Sequence, residues 1–244
     1  MTEMLDAPGM DQRISMPDMY RSGEYLEHNP TWDAEDSAWK AGHILRILQD
    51  HGVTPRKICE VGCGAGEILR QLQSRMPPEC EFWGYEISPQ AHELAKTRQN
   101  DRMHFLLGDF LEAKGEYDLI ILADVIEHLE DYFGFLRAIH VRSTYKVLHI
   151  PLDMSVQMVL RREPIERVRR DVGHLHYFSK ETALAALTDS GYRVLDWRYT
   201  PSVVELPKSW MSRLSRWPRR AGFRLHPDLA VRILGGYSLL VLAE

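Results

Sequence analysis

The 244-residue sequence predicts an α/β protein in which a parallel sheet carries helices on both faces. Three observations predict it. From about residue 57 short apolar runs alternate with amphipathic stretches, the first run opens into a glycine-rich turn, "EVGCGAGE", and acidic residues stand at the ends of the runs that follow.

Taken in order, residues 1–19 read as a flexible tail and 20–52 as a cap segment, leaving 53–244 as the main domain. The cap holds Tyr20, Tyr25, Trp32 and Trp39, then a helix whose apolar stripe is Ile44, Leu45, Ile47 and Leu48. "KICEVG" reads as the first strand and "GEILRQLQSRM" as a helix. "EFWGYEI" is the second strand, "PQAHELAKTRQ" a helix with Pro89 at its start, and "MHFLLGD" the third strand. "YDLIILAD" is the fourth strand, "EDYFGFLRAIH" a helix and "YKVLHIP" the fifth strand. After Pro151 come an insert over about 152–178, the helix "SKETALAALTDSG" closed by Gly191, the strand "YRVLDWRY", a second insert over about 200–234, and a last strand in "GGYSLLVLAE". Strands alternating with helices require parallel pairing, because each crossover returns the chain to the same end of the sheet.

Composition narrows the function. No stretch approaches the roughly 20 apolar residues of a bilayer crossing, and the polar start has no signal-peptide core, so a cytoplasmic location is expected. Cys59, Cys63 and Cys80 are odd in number and lack CxxC spacing, which argues against a disulfide framework or structural zinc. A CxxxCxxC cluster motif fails because Gly66 stands at its third position. Net charge is −5, yet residues 151–244 hold 15 Lys and Arg against 10 acids. Their arginines read as solvated helix faces or as contacts to an anionic group on a substrate, with Arg161, Arg162, Arg169 and Arg170 the candidates.

The turn with Gly62, Gly64 and Gly66 lies where an open parallel sheet places its ligand. A dinucleotide turn would carry glycine three positions after Gly64, where this chain has Glu67, and Glu60 precedes the turn. Two flanking carboxylates suit a cation, or amine and hydroxyl donors, better than phosphate. Glu86 ends the second strand, placed to accept from two ribose hydroxyls, while Asp109 and Asp124 follow strands three and four.

With these residues in place, the stretch from about Ile58 to Pro151 resembles the class I S-adenosylmethionine-dependent methyltransferases, and "GHLHYFSKETALAALTDSGYRV" continues the likeness. The resemblance implies a Rossmann-like seven-stranded sheet, mostly parallel with a final antiparallel strand, and S-adenosyl-L-methionine as cofactor. It gives Glu60, Gly62, Gly64 and Gly66 to the methionine part, Glu86 to the ribose and Asp109 to the adenine, with Ile87, Phe110 and Asp124 as further cofactor-binding candidates. "HVRSTYK" stands where many relatives carry a Pro-Gly-Gly turn, a departure in a structural loop.

Methyl transfer from a sulfonium needs alignment and exclusion of water, and a hydroxyl nucleophile also needs somewhere for its proton to go. "DVIEHL" and "GHLHYF" supply candidates: His128 as base or substrate contact, with Glu127 and His174 beside it. The pair of motifs also resembles small-RNA 2′-O-methyltransferases, which implies a divalent-metal alternative on Asp124, Glu127, His128 and His174. His149, His176, Tyr177 and Arg162 are the acceptor-side candidates, with His149 equally readable as a core residue; His51, His92, His104, His140 and His226 read as surface residues. The expected acceptor is a small molecule or glycan, methylated at oxygen first and nitrogen second. An RNA acceptor is disfavoured by a pI near 6.1, and a nonenzymatic cofactor-binding protein is the remaining alternative.

Overall fold

A computed structural model describes residues 34–206 and 210–244, and before them 19, 20, 23, 25, 29, 31 and 32. The tail expected over 1–19 falls outside these residues except for Met19, which is helical and buried.

The predicted alternation is present. Helix α1 (Ser37–Asp50) leads into β1 (Lys57–Val61), α2 (Glu67–Gln73), β2 (Glu81–Glu86), α3 (Pro89–Lys96), β3 (Met103–Leu107), β4 (Tyr117–Ala123), α4 (Tyr132–His140) and β5 (Ser143–Pro151). Local chemistry sets the helix starts. Ser88 accepts from the Ala91 amide ahead of α3, with Pro89 in its first turn, and Asp131 accepts from Gly134 at the head of α4. Helix α2 has no side-chain cap, because the left-handed Gly66 (φ 75°) turns the chain directly into it.

The first insert, expected as a polar connection, is helical. Ser155 caps α5 (Val156–Arg161) through the Met158 amide, α6 (Glu163–Arg167) carries Pro164 in its first turn, and a π-type turn follows at Val168–Val172. Helix α7 (Lys180–Asp189) begins with a Ser179–Thr182 capping box and leads to β6 (Val194–Thr200). The second insert folds as α8 (Ser202–Glu205), α9 (Trp210–Leu225) and α10 (Pro227–Leu234), after which β7 (Ser238–Ala243) ends the chain.

The seven strands lie in the order β3-β2-β1-β4-β5-β7-β6. Six run in the same direction, and β7 runs antiparallel between β5 and β6. Period-two alternation explains the two cores. Ile58, Leu119, Ile121 and Val147 face Ile44, Ile47, Leu69 and Leu72 on one side, while Cys59, Ile120, Leu122 and Leu148 face Leu136, Ile139 and Leu187 on the other. Both faces are apolar because both are covered by helices. Strand β1 pairs with β2 on one side and β4 on the other, so the direction of winding reverses there and a crevice opens at its C-terminal end.

Candidate active site

Val61 carries the chain from β1 into that crevice, and Gly62, Gly64 and Gly66 have φ of 69°, 53° and 75°, a region closed to most side chains. A Cβ on Gly66 would lie 2.5 Å from the Phe105 ring, and one on Gly62 would lie 3.1 Å from Val125. The turn therefore brings bare backbone against the opening, while Gly66 itself packs behind it. A cavity of about 340 Å³ occupies the crevice.

Of the residues read from sequence, Glu60, Gly62, Gly64, Glu86, Ile87, Asp124, Glu127, His128, His149 and His174 line this cavity. Six others lie elsewhere. Phe110 is buried against Tyr85, Asp109 is exposed and accepts from the Leu111 amide, and His176 bonds the Leu129 carbonyl beside Tyr132. Arg162 is exposed and paired with Glu166, while Tyr177 and Gly66 are off the cavity wall. The other candidate arginines, Arg161, Arg169 and Arg170, are exposed too, and Arg170 bonds Asp171. His92, expected at the surface, is buried, because α3 turns it inward to the Phe105 carbonyl at 3.3 Å.

The acids at the cavity differ in their partners. Glu60 is 1% exposed with Oε2 unpartnered, and burial pushes its carboxyl well above the usual range against the pull of Lys40. Glu86 accepts from the Gly64 and Ser88 amides at 2.8 Å each, tying the end of β2 to the glycine turn. Burial still raises its pKa. Glu67 also lines the cavity, but it is paired. Arg70 and Arg98 bond it at 2.8 and 3.0 Å, so its charge is already answered.

Asp124 leaves β4 in a left-handed conformation, φ 56°. It sits 2.6 Å from Lys40 Nζ and 2.7 Å from His149 Nδ1. Burial opposes ionisation, but Lys40 and His149 outweigh it and hold the carboxyl far below the usual range. His149 Nε2 is 2.9 Å from Thr200, which makes this group a closed network.

The next acid has the opposite surroundings. Glu127 is 0% exposed and neither carboxylate oxygen has a hydrogen-bond partner among the described residues. Burial first, then the Asp124 charge, raises its pKa well above the usual range. His128 Nε2 lies 3.8 Å from Glu127 Oε1, and the His128 and His174 rings meet edge-on at 4.9 Å. Burial and the facing His174 lower the His128 pKa to about 4, so the ring is neutral near neutral pH. The Glu127 carbonyl accepts from the Leu175 and His176 amides at 2.7 and 3.0 Å. Those two bonds bring the motifs "DVIEHL" and "GHLHYF" together.

Two contributors were not found from sequence: Lys40 projects from α1 onto Asp124, and Asp153 bonds His174 Nδ1 at 2.6 Å. Tyr20, read from sequence only as part of the cap, places its hydroxyl 2.9 Å from His128 Nδ1. Asp153 has the one legible signal, an acid just past the end of β5. The aromatic cap is on the cavity wall as expected: Tyr20, Tyr25, Trp32 and Trp39 all line it.

A glycine turn at the switch point with an unpartnered buried acid on one side and an acid-ended β2 on the other is the arrangement that comparison decides. A family profile described as a methyltransferase domain matches residues 33–196. The chain belongs to the class I S-adenosylmethionine-dependent methyltransferases. The profile starts before α1 and ends within β6, so it covers the cavity's glycine turn, β2, β4 and the His174 loop.

Similar proteins include ajmaline N-methyltransferase of Rauvolfia serpentina, 29% identical over 49% of this chain and 45% of its own. A probable chloroplastic tocopherol O-methyltransferase of Oryza sativa subsp. japonica is 27% identical over 47% of this chain and 36% of its own. The matched stretch thus spans less than half of either relative. Among solved structures, magnesium protoporphyrin IX methyltransferase of Synechocystis PCC 6803 with bound S-adenosylmethionine shares the fold, with a TM-score of 0.61, 13% identity, and coverage of 96% of this chain and 99% of that one. No helix among the described residues of this methyltransferase is long and apolar enough to cross a membrane.

The family's cofactor fits the residues present. The unpartnered Glu60 oxygen offers an acceptor for an ammonium group, the bare glycine backbone leaves room that any Cβ would narrow, and the buried Glu86 carboxylate has lone pairs beyond its two amide bonds.

Proposed function

We propose that this methyltransferase moves the methyl group of S-adenosylmethionine to a hydroxyl oxygen of a small-molecule or glycan acceptor. The observation that carries the reading is the pairing of two walls in one cavity. The glycine turn, Glu60 and Glu86 form a cofactor wall, and Glu127, His128 and His174 form a second wall in which the neutral His128 imidazole is a proton acceptor. An amine acceptor needs only to arrive unprotonated, whereas a hydroxyl must lose its proton as the new bond forms, so a wall with a proton acceptor is suited to oxygen.

When bound, the cofactor supplies an activated methyl group on sulfur. The Glu60, Gly62, Gly64 and Glu86 wall would hold that group, and the neutral His128 ring would take the proton that an acceptor hydroxyl gives up as it is methylated. Tyr20, Tyr25 and Trp32 exclude water from that step, their rings meeting at 4.9 and 4.7 Å. Acceptor choice falls to the Val172–His174 loop, whose Val172 and His174 line the cavity.

The experiment is incubation of the full chain and a labelled methyl donor with a panel of small hydroxylated metabolites, glycans and amines, read by mass spectrometry. Label recovered on oxygen of a small acceptor is the expected result. Label confined to nitrogen, or transfer only to RNA, overturns the reading.

A further inference from the structure

The arginines of the two inserts have different surroundings. In the first insert three of the five are answered by neighbouring acids: Arg162 pairs with Glu166, Arg167 with Glu163 and Arg170 with Asp171. Helix α9, in the second insert, holds five arginines and no acid, so its charge has no such answer along the helix. Its inner face is fixed by Phe223, which stacks on Tyr237 at 5.1 Å, and by the Tyr237 hydroxyl, which donates to the Arg219 carbonyl at 3.2 Å. Tyr237 directly precedes Ser238, a residue of the cavity wall, so α9 lies at the cavity end of the sheet. The outer face follows the helical repeat, with Trp217, Arg220 and Arg224 exposed along one side. Trp217 is 73% exposed, and Leu225 at the end of the helix 74%. Helix α10 packs against α9 and exposes Leu229 and Ile233 one turn apart, while α5, packed on α10, exposes Val159 and Leu160. Apolar side chains on three adjoining helices thus stand beside arginines that no acid of α9 neutralises. Exposed apolar surface gathered in this way marks a docking face.

We propose that α9 and α10, with the exposed side of α5, dock on a bilayer that contains anionic phospholipid. The helices lie on the headgroup layer and do not cross it. Trp217, Leu225, Leu229 and Ile233 enter the boundary between headgroups and acyl chains, while Arg220 and Arg224 meet lipid phosphates. Charge complementarity selects an anionic surface. The apolar members select a bilayer over nucleic acid, which has no acyl layer to receive leucine and isoleucine. Asp228 on α10 does not cancel the arginines, because Lys180 already pairs with it, and Arg232 adds nothing to them, because Glu181 takes it. The inference goes beyond the methyl-transfer reading and does not depend on it.

The test is cosedimentation of the full chain with vesicles of phosphatidylglycerol and phosphatidylcholine in equal parts, set against vesicles of phosphatidylcholine alone. Pelleting with the first and not the second is the expected result, and it weakens as salt is raised. Arg220→Ala combined with Arg224→Ala is expected to lower vesicle affinity roughly 20- to 30-fold, about fivefold for each charge removed at the lipid surface. Trp217→Ala is expected to lower it roughly 10-fold and to leave the salt dependence as it was. Lys96→Ala, which removes an exposed basic side chain from α3, is expected to leave affinity unchanged. Every side chain replaced is exposed, so the circular dichroism of the variants is expected to match the wild type. Absence of pelleting with the mixed vesicles overturns the proposal, as does unaltered affinity in the double arginine variant. Retention on single-stranded RNA without vesicle binding assigns the face to nucleic acid. A dimer that Trp217→Ala turns into a monomer, again without vesicle binding, assigns it to a second copy of the chain. Either of these outcomes overturns the bilayer.

Discussion

Asp124 and Glu127 leave the same turn after β4, three residues apart, and each has histidine company, yet the two groups are built in opposite ways. Asp124 is closed: Lys40 at 2.6 Å, His149 at 2.7 Å and, behind the histidine, Thr200 at 2.9 Å use the acceptors and donors that face it. Glu127 is open, more deeply buried, and faces two histidines whose Nδ1 atoms are bonded elsewhere, to the Gly173 carbonyl and to Asp153. A closed network contributes to the fold, whereas an open one costs stability and persists where a ligand or a reaction completes it. The difference assigns Asp124 to holding α1 against the sheet and Glu127 to chemistry.

The largest test of that division is Glu127→Gln. Turnover is expected to fall on the order of 10³-fold, the scale of a lost acid–base contribution, while the midpoint of urea unfolding stays level or rises because a buried unpaired acid has been removed. A fall in both would show that Glu127 is a structural residue and erase the contrast.

Asp124→Asn is expected to do the reverse. It removes the charge that Lys40 and His149 meet at Asp124, with a loss of about 2 kcal/mol for a pair that is mostly but not wholly buried. Asn tolerates the left-handed backbone at this position, so the substitution isolates charge from strain, and Asp124→Ala is expected to lose roughly 1 kcal/mol more. Urea unfolding measures both. Unchanged stability in Asp124→Asn would mean that Lys40 is held by other contacts.

Glu86 lies between the two extremes, buried but satisfied by backbone amides. Replacing it with Ala is expected to weaken S-adenosylhomocysteine by about 2 kcal/mol in calorimetry, through the lost ribose acceptor and the loosened Gly64 amide. Wild-type affinity would remove Glu86 from the cofactor wall.

The sequence made one of these regions more legible than the other. Period-two runs such as "YDLIILAD" and the glycine spacing at 62–66 disclose strands and the switch-point turn because they are local patterns with a single physical cause. Glu60 and Glu86 follow, since a strand end fixes where a residue lies. The inserts were less legible: a polar, arginine-rich stretch hid two helices and a π-type turn, because Ser155 and Pro164 are helix-start signals only once a helix is suspected. Asp109 and Glu67 show another limit. Position puts an acid near the crevice, but only the fold shows that Asp109 turns to the Leu111 amide and that Arg98, from a different crossover, reaches Glu67. Lys40, Asp153 and Tyr20 act across the whole chain, and no spacing records such contacts.

Glu67 supplies the smallest expected effect and sharpens the series, since its charge is answered by two arginines, one of them half exposed. The hydrogen bond from Arg70 is the main cause that lowers its pKa from 4.5 to about 2, with Gln71 and Arg98 adding to it against a modest desolvation. A carboxyl whose folded pKa lies below its unfolded value contributes stability that is complete above the unfolded value and disappears as pH falls through the folded one. The contribution is therefore whole near neutral pH and declines between 4.5 and about 2. Arg70 is half exposed, so solvent reduces the contribution to about 1 kcal/mol. Urea unfolding of the wild type and Glu67→Gln is expected to differ by that amount at neutral pH, with the gap closing as the buffer is taken toward about pH 2. A gap that stays constant across the titration would mean that the glutamate acts through packing at the start of α2, and charge pairing would then distinguish only the buried acids of this cavity.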